Sequence, residues 1–260
     1  MEYLAINQAT WNKRTRIHLA SEFYDVDGFV AGKSSLNPLE VSLVGEVKGK
    51  SLLHLQCHFG QDTISFARMG AEVTGVDLSD VAIENANTLV NRINQENDEA
   101  LSARFIQSDV CSFESTQLFD HVFTSYGTII WLPDLTPWAK TIASSLKKGG
   151  QFTIVDFHPL HDVFDGYSYF HNEQPDVDEE GTYTENCDGV KSACVTWSHP
   201  ISEVVNALIG AGLVIEQLDE HANSPYNCFE GLEQKEDGYF YYFYKNQQVP
   251  LVYSIIAKNI

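Results

Sequence analysis

The sequence predicts an α/β fold, a mostly parallel sheet with helices on both faces, and three observations carry the prediction. Short apolar runs of strand length alternate with helical segments from Leu52 to Phe157. Residues 51–79, SLLHLQCHFGQDTISFARMGAEVTGVDLS, read as strand, tight turn, helix and strand, a right-handed βαβ unit. The second strand of that unit ends on an acid, Asp77, placed where such sheets hydrogen-bond the ribose of a nucleoside.

Each element has a local reason. Leu52, Leu53 and Leu55 make a buried strand, Gln56–Gly60 the turn, and Ile64, Ala67 and Met69 one face of a helix that Gly70 closes. Val73–Val76 is the second strand, and Ser79 caps a helix running to about Asn94. Arg104–Gln107, Phe119–Ser125 and Gln151–Phe157 are the third to fifth strands, with a helix over Pro133–Leu146. Residues 159–198 break the alternation with aromatics and acids, and read as a β-rich insertion over the active end of the sheet. A helix at Ile201–Ala211, a strand at Leu213–Leu218 and a final strand at Pro250–Lys258 complete the chain. Residues 1–48 precede the first strand, with a helical piece around Arg16–Phe23. Phe23, Tyr24 and Phe29 sit there in a polar stretch that suits a cover over the site.

Composition narrows the function. The net charge of −20 disfavours nucleic acid and anionic membranes, and suits a small neutral or cationic substrate. No run approaches the roughly 20 apolar residues that span a bilayer, and the N-terminus lacks a signal peptide's apolar core, so a cytoplasmic location is expected. Five cysteines without a CxxC pair argue against a disulfide framework and a structural zinc site. Oligomeric state is not legible.

Alternating strands, a late terminal strand and the turn at 56–60 resemble the class I S-adenosylmethionine-dependent methyltransferases, over roughly residues 50–260. LLHLQCHFGQDTISFARMGAEVTGVDLS looks like a bacterial small-molecule subgroup of that family. The resemblance implies a Rossmann-like seven-stranded, mostly parallel sheet with an antiparallel last strand, helices on both faces and an inserted lid after strand 5. It divides the chain into a lid or wrap at 1–48 and a methyltransferase domain at 49–260, with 159–198 inserted. The family turn is usually acid–x–Gly–x–Gly–x–Gly; here His54 takes the acid position, Gln56 and His58 the first two glycines, and only Gly60 remains.

The resemblance implies S-adenosylmethionine as cofactor and a small methyl acceptor. Asp77 would accept from the ribose hydroxyls, Leu78 would pack on the adenine, and Asp109 with the Val110 amide would meet its edge. Gln56, Cys57, His58 and Gly60 would face the methionine end, and Ser125 and Tyr126 would border the methyl group, with Tyr24 a contact from the cover. His158, at the end of the fifth strand, is the first candidate for a general base and Tyr126 the second. Trp131 reads as a core or pocket-wall residue. The acceptor is expected to be an amine, hydroxyl or thiol compound.

Three alternative readings use some of the same residues. Asp156, His158, His161 and Asp162 have metal-ligand types at close spacing, and Cys187, Cys194 and Cys228 could supply three thiolates; no metal is expected from either set. A nicotinamide-dependent oxidoreductase would normally carry Gly-x-Gly-x-x-Gly, absent here. A non-catalytic methyltransferase-like module would also explain the loss of two glycines.

Overall fold

The computed structural model describes residues 2–97, 100–227 and 229–260. Its centre is a seven-stranded sheet of β1 (Ser51–Leu55), β2 (Glu72–Asp77), β3 (Ala103–Gln107), β4 (Phe119–Ser125), β5 (Leu146–Phe157), β8 (Leu213–His221) and β14 (Val252–Asn259). The spatial order is β3-β2-β1-β4-β5-β14-β8. The first five strands pair in parallel, whereas β14 runs antiparallel to both β5 and β8. Between β5 and β8 the chain adds a hairpin of β6 (Asp176–Glu180) and β7 (Ser192–Thr196). Five two-residue strands precede β14: β9 (Asn223–Ser224), β10 (Glu233–Gln234), β11 (Phe240–Tyr241), β12 (Phe243–Tyr244) and β13 (Gln247–Gln248).

Helices α1 (Glu2–His18), α2 (Val26–Val30) and α3 (Pro38–Val44) come before the sheet. Next come α4 (Gln61–Arg68), α5 (Asp80–Glu96), α6 (Leu135–Ser145), α7 (Leu160–Phe164) and α8 (Ile201–Gly210). The seam between α6, α8 and the sheet is filled by Trp138, Ile142, Phe152, Leu208 and Ile255, all fully buried. On the other face Ile64, Ile93, Leu89 and Phe59 bury α4 and α5. Burial of such side chains contributes about 1.5–3 kcal/mol each, which is why these helices follow their apolar spacing. Ser79 caps α5 by accepting the Ala82 N–H, and Gly70 takes a left-handed φ of 95° after α4.

Three elements depart from the sequence expectation. The first helix spans Glu2–His18, not the Arg16–Phe23 region, because its buried face is polar: Asn7, Thr10, Arg14, Thr15 and His18. Those groups are spent on hydrogen bonds, with Asn7 bonding both ways to the Val195 backbone and Thr10 donating to the Ala193 carbonyl. Helix α6 begins at Leu135 behind a 3-10 turn at Ile129–Trp131, capped by Asp134 rather than opened by Pro133. The insertion holds one hairpin and the short α7, and its β7 packs along α1. Among the described residues no helix is long and apolar enough to cross a membrane.

Candidate active site

The turn between β1 and α4 keeps a glycine backbone without the glycines. Gln56, His58 and Gly60 have φ of 57°, 51° and 85°, the left-handed region at all three motif positions. For Gln and His this costs roughly 1 kcal/mol apiece, so neighbours must hold it. Gln56 Nε2 donates to the Thr128 carbonyl at 2.7 Å, and His58 donates its backbone N–H to Asp77 Oδ2 at 2.8 Å. Gly60 has no substitute, since a Cβ there would lie 2.5 Å from the Phe105 ring. Cys57 is buried beneath the turn, its sulfur against Gly75. His54, in the acid position, is neutral: burial lowers its pKa to about 3, and Nδ1 pairs with Thr63 Oγ1.

Asp77 is 9% exposed, its other oxygen accepting the Ser79 N–H at 2.8 Å. Burial pushes its carboxyl up to about 6, against the backbone N–H groups that favour the anion. Helix α1 lies across this edge of the sheet. Gln8 donates to the Leu78 carbonyl, Asn12 Nδ2 to Asp80, and Ser79 Oγ donates to Asn12 Oδ1 at 2.6 Å. Trp11 meets His58 and Trp131 edge to face at 5.3 Å, and His18 Nδ1 pairs with His58 Nε2 at 2.9 Å. Burial, then the Arg14 charge, lowers His18 to about 3, so the pair is neutral. Tyr24 stacks on His18 and bonds Tyr183 through its hydroxyl.

At the neighbouring strand end Asp109 caps its own turn by accepting the Cys111 N–H at 2.9 Å, while Val110 is buried in the core. Leu78 is half-buried, its carbonyl taken by Gln8 and Gln107. Among the described residues, Gln56 Oε1 and His58 Nδ1 are buried without a hydrogen-bond partner.

Beyond β4, Ser125 is buried and Tyr126 turns the chain at a φ of 39°. Asp156 holds this turn by accepting the Gly127 N–H and the Thr128 hydroxyl. The Tyr126 hydroxyl donates to Glu40 on α3, and its ring meets Tyr226 edge to face at 5.0 Å. A cavity of about 230 Å³ opens here, lined by Asn37, Leu39, Tyr126, His221, Asn223, Pro225 and Tyr239. Of the aromatics singled out in the sequence, Phe23 and Tyr126 converge on Tyr226. Within the insertion, Tyr167 bonds Asp178 and Glu180, and Tyr169 packs on Phe170.

His158 is buried with both ring nitrogens engaged: Nδ1 accepts the Leu160 N–H and Nε2 donates to Glu220 at 2.7 Å. It lies three strand spacings from β2, about 14 Å across the sheet. Asp156 is used by the β4 turn and His161 stacks on Phe229 at 3.8 Å, so the four metal-type residues of 156–162 do not converge. Among the described residues, His171, His199 and Glu203 are the three such groups that do approach one another. Cys187 and Cys194 are free thiols, and Cys228 lies outside the described residues.

Sequence reasoning missed Glu40, Trp11, Asn12, Arg14 and His18. The signal for Glu40 was a capping box, Asn37-Pro38-Leu39-Glu40, in which Glu40 accepts the Asn37 N–H.

Comparison with known proteins bears on the domain and its fold. Residues 52–150 match the family described as "Methyltransferase domain". Among curated relatives, thiocyanate methyltransferase 1 of Arabidopsis thaliana is 29% identical over 44% of this chain and 48% of its own length. A ubiquinone biosynthesis O-methyltransferase of Xanthomonas euvesicatoria is 30% identical over 51% of this chain and 55% of its own. The chain thus spans about half the length of these relatives. An S-adenosylmethionine-dependent methyltransferase structure from Mesorhizobium loti aligns with a TM-score of 0.57 at 18% identity, covering 88% of this chain and 99% of that one. One from Methanosarcina mazei gives 0.60 at 17%, covering 86% and 98%. Residues 52–150, the β1–β5 part of the sheet, are thus similar to a methyltransferase domain, and the chain has the fold of these S-adenosylmethionine-dependent methyltransferase structures.

Proposed function

We propose that this chain transfers the methyl group of S-adenosylmethionine to a small-molecule acceptor. The observation that carries the reading is the 56–60 turn, left-handed at every motif position and tied to Asp77 through the His58 amide. Backbone held that way leaves room for a ligand at the end of β1, and Asp77 has lone pairs left for ribose hydroxyls. Asp109, Val110 and Leu78 lie at the next strand ends for the adenine. Gln56, Cys57, His58 and Gly60 border the methionine end, where two unpartnered buried atoms fit its charged tail. Tyr24 is reached through His18. Ser125 and Tyr126 would face the methyl group.

When bound, the cofactor supplies an electrophilic methyl on a good leaving group. The protein then needs chiefly to align a lone pair and accept a proton. Tyr126 stands at a cavity for the acceptor, whereas His158 must first give up the Leu160 N–H at Nδ1 to take a proton. We also propose a cytoplasmic protein without nucleic-acid partners, from its charge of −20 and its free thiols.

A second reading, a methyltransferase-like module without catalysis, is favoured by one feature, the burial of Asp77 under α1. Calorimetry with S-adenosylmethionine, S-adenosylhomocysteine and NAD separates the readings, followed by a metabolite screen for S-adenosylhomocysteine release. Nucleoside binding with turnover of one metabolite supports methyl transfer. Nucleoside binding that produces no turnover across the screen supports the module, and binding of NAD alone removes both.

A further inference from the structure

Glu40 is 1% exposed, and the groups that reach its carboxylate are Tyr126 and Asn37. Neither is a cation. The other titratable groups that bear most on this pair are Asp62 and Tyr226, so among the described residues no cation is paired with the buried acid. Burial accordingly pushes Glu40 up to about 7. A buried acid balanced between its two protonation states is costly for stability alone and suited to proton transfer. Tyr126 stands between it and the 230 Å³ cavity: the phenol lines the cavity and hands its hydrogen to Glu40 behind it. The backbone of Tyr126, at a φ of 39°, is held there by Asp156 through the next amide. The cavity walls are amide, phenol, imidazole and aliphatic groups, with no carboxylate, Lys or Arg among them. Such walls suit an uncharged molecule with hydrogen-bonding groups, and the volume limits it to a small one.

We propose that Tyr126 and Glu40 form a proton relay serving a small, uncharged acceptor that carries a hydroxyl group. This inference rests on the methyltransferase reading. The acceptor oxygen's lone pair forms the new O–C bond while the pair of the broken C–S bond stays on sulfur. The acceptor's proton passes to Tyr126 Oη, and the proton of Tyr126 passes to Glu40 Oε1, from which solvent recovers it. Tyr126 is the catalytic residue because it touches the acceptor; Glu40 acts through it as a positioning and proton-holding group.

The test uses wild type, Tyr126→Phe and Glu40→Gln, near-isosteric changes checked for folding by circular dichroism. Protein saturated with unreactive S-adenosylhomocysteine is titrated with 3-nitrophenol at a pH just above 7, where Glu40 is ionised and the free probe is still protonated, and the visible phenolate band is read. The relay predicts that wild type binds the probe and shows the band. Both variants should bind the nucleoside equally well and lose the band. With S-adenosylmethionine and the probe, the wild-type rate should rise as Glu40 ionises near pH 7. Both variants should lose at least about tenfold in rate, together with that pH dependence. A wild-type protein that binds nucleoside but gives no phenolate, or variants that keep the band and the pH dependence, would overturn the relay and leave the methyltransferase reading standing. A wild type that binds no nucleoside overturns both.

Discussion

Asp77 Oδ2 accepts the backbone N–H of His58 at 2.8 Å, so the acid ending β2 also braces the turn that leaves β1. Two left-handed non-glycine residues are sustained by that bond and by Gln56 reaching the Thr128 carbonyl. The residue proposed to hold the ribose therefore also fixes the loop geometry. Specific hydrogen bonds thus hold a backbone that glycine would otherwise be needed for.

Gly60 should not tolerate even a methyl group. Its φ of 85° disfavours any side chain, and a Cβ would meet Phe105 at 2.5 Å. Gly60→Ala is expected to lose about 2–4 kcal/mol in urea unfolding. A midpoint within error of wild type would show that the turn relaxes at no cost.

Glu40 gives a signed pH effect. Its carboxyl titrates at 4.5 in an unstructured chain and at about 7 when folded, raised by burial. The folded state thus binds this proton more tightly, a contribution to stability present below pH 4.5 and lost as pH rises to about 7. Glu40→Gln removes the loss, so its Tm relative to wild type should climb between those pH values and then level off. The total is on the order of 3 kcal/mol. A difference independent of pH would contradict the buried, uncompensated carboxylate.

Helix α1 is held to the rim by Asn12, which accepts from Ser79 Oγ and the Val81 amide and donates to Asp80. Asn12→Ala is expected to cost about 1–2 kcal/mol and to speed proteolysis within residues 2–18. Unchanged cleavage would mean that Gln8, Trp11, His18 and the contacts with β7 hold the helix without Asn12.

Much of the sheet was legible because its signal is local. β4 was expected over Phe119–Ser125 and spans those residues, and the apolar runs of β1 and β2 fall within a residue of the observed strands. Helix α1 was misplaced because periodicity detects apolar faces, and this helix buries Asn7, Thr10, Arg14 and His18 instead. The acid after β2 was readable from its place in a βαβ unit. Glu40 was not, since only the tertiary fold brings α3 against the end of β4, 86 residues away. His158 sat at the expected strand end, but its bond to Glu220 spans the width of β14, which no local pattern announces.

The central claim is that Asp77 holds an adenosyl ribose beside the 56–60 turn. Asp77→Asn keeps the shape of the side chain and removes its charge, so calorimetry with S-adenosylhomocysteine on wild type and variant tests the claim most directly. The account predicts one nucleoside per chain for wild type and, for the variant, affinity weakened by at least about tenfold with the fold retained. Equal affinity in the two proteins would contradict it.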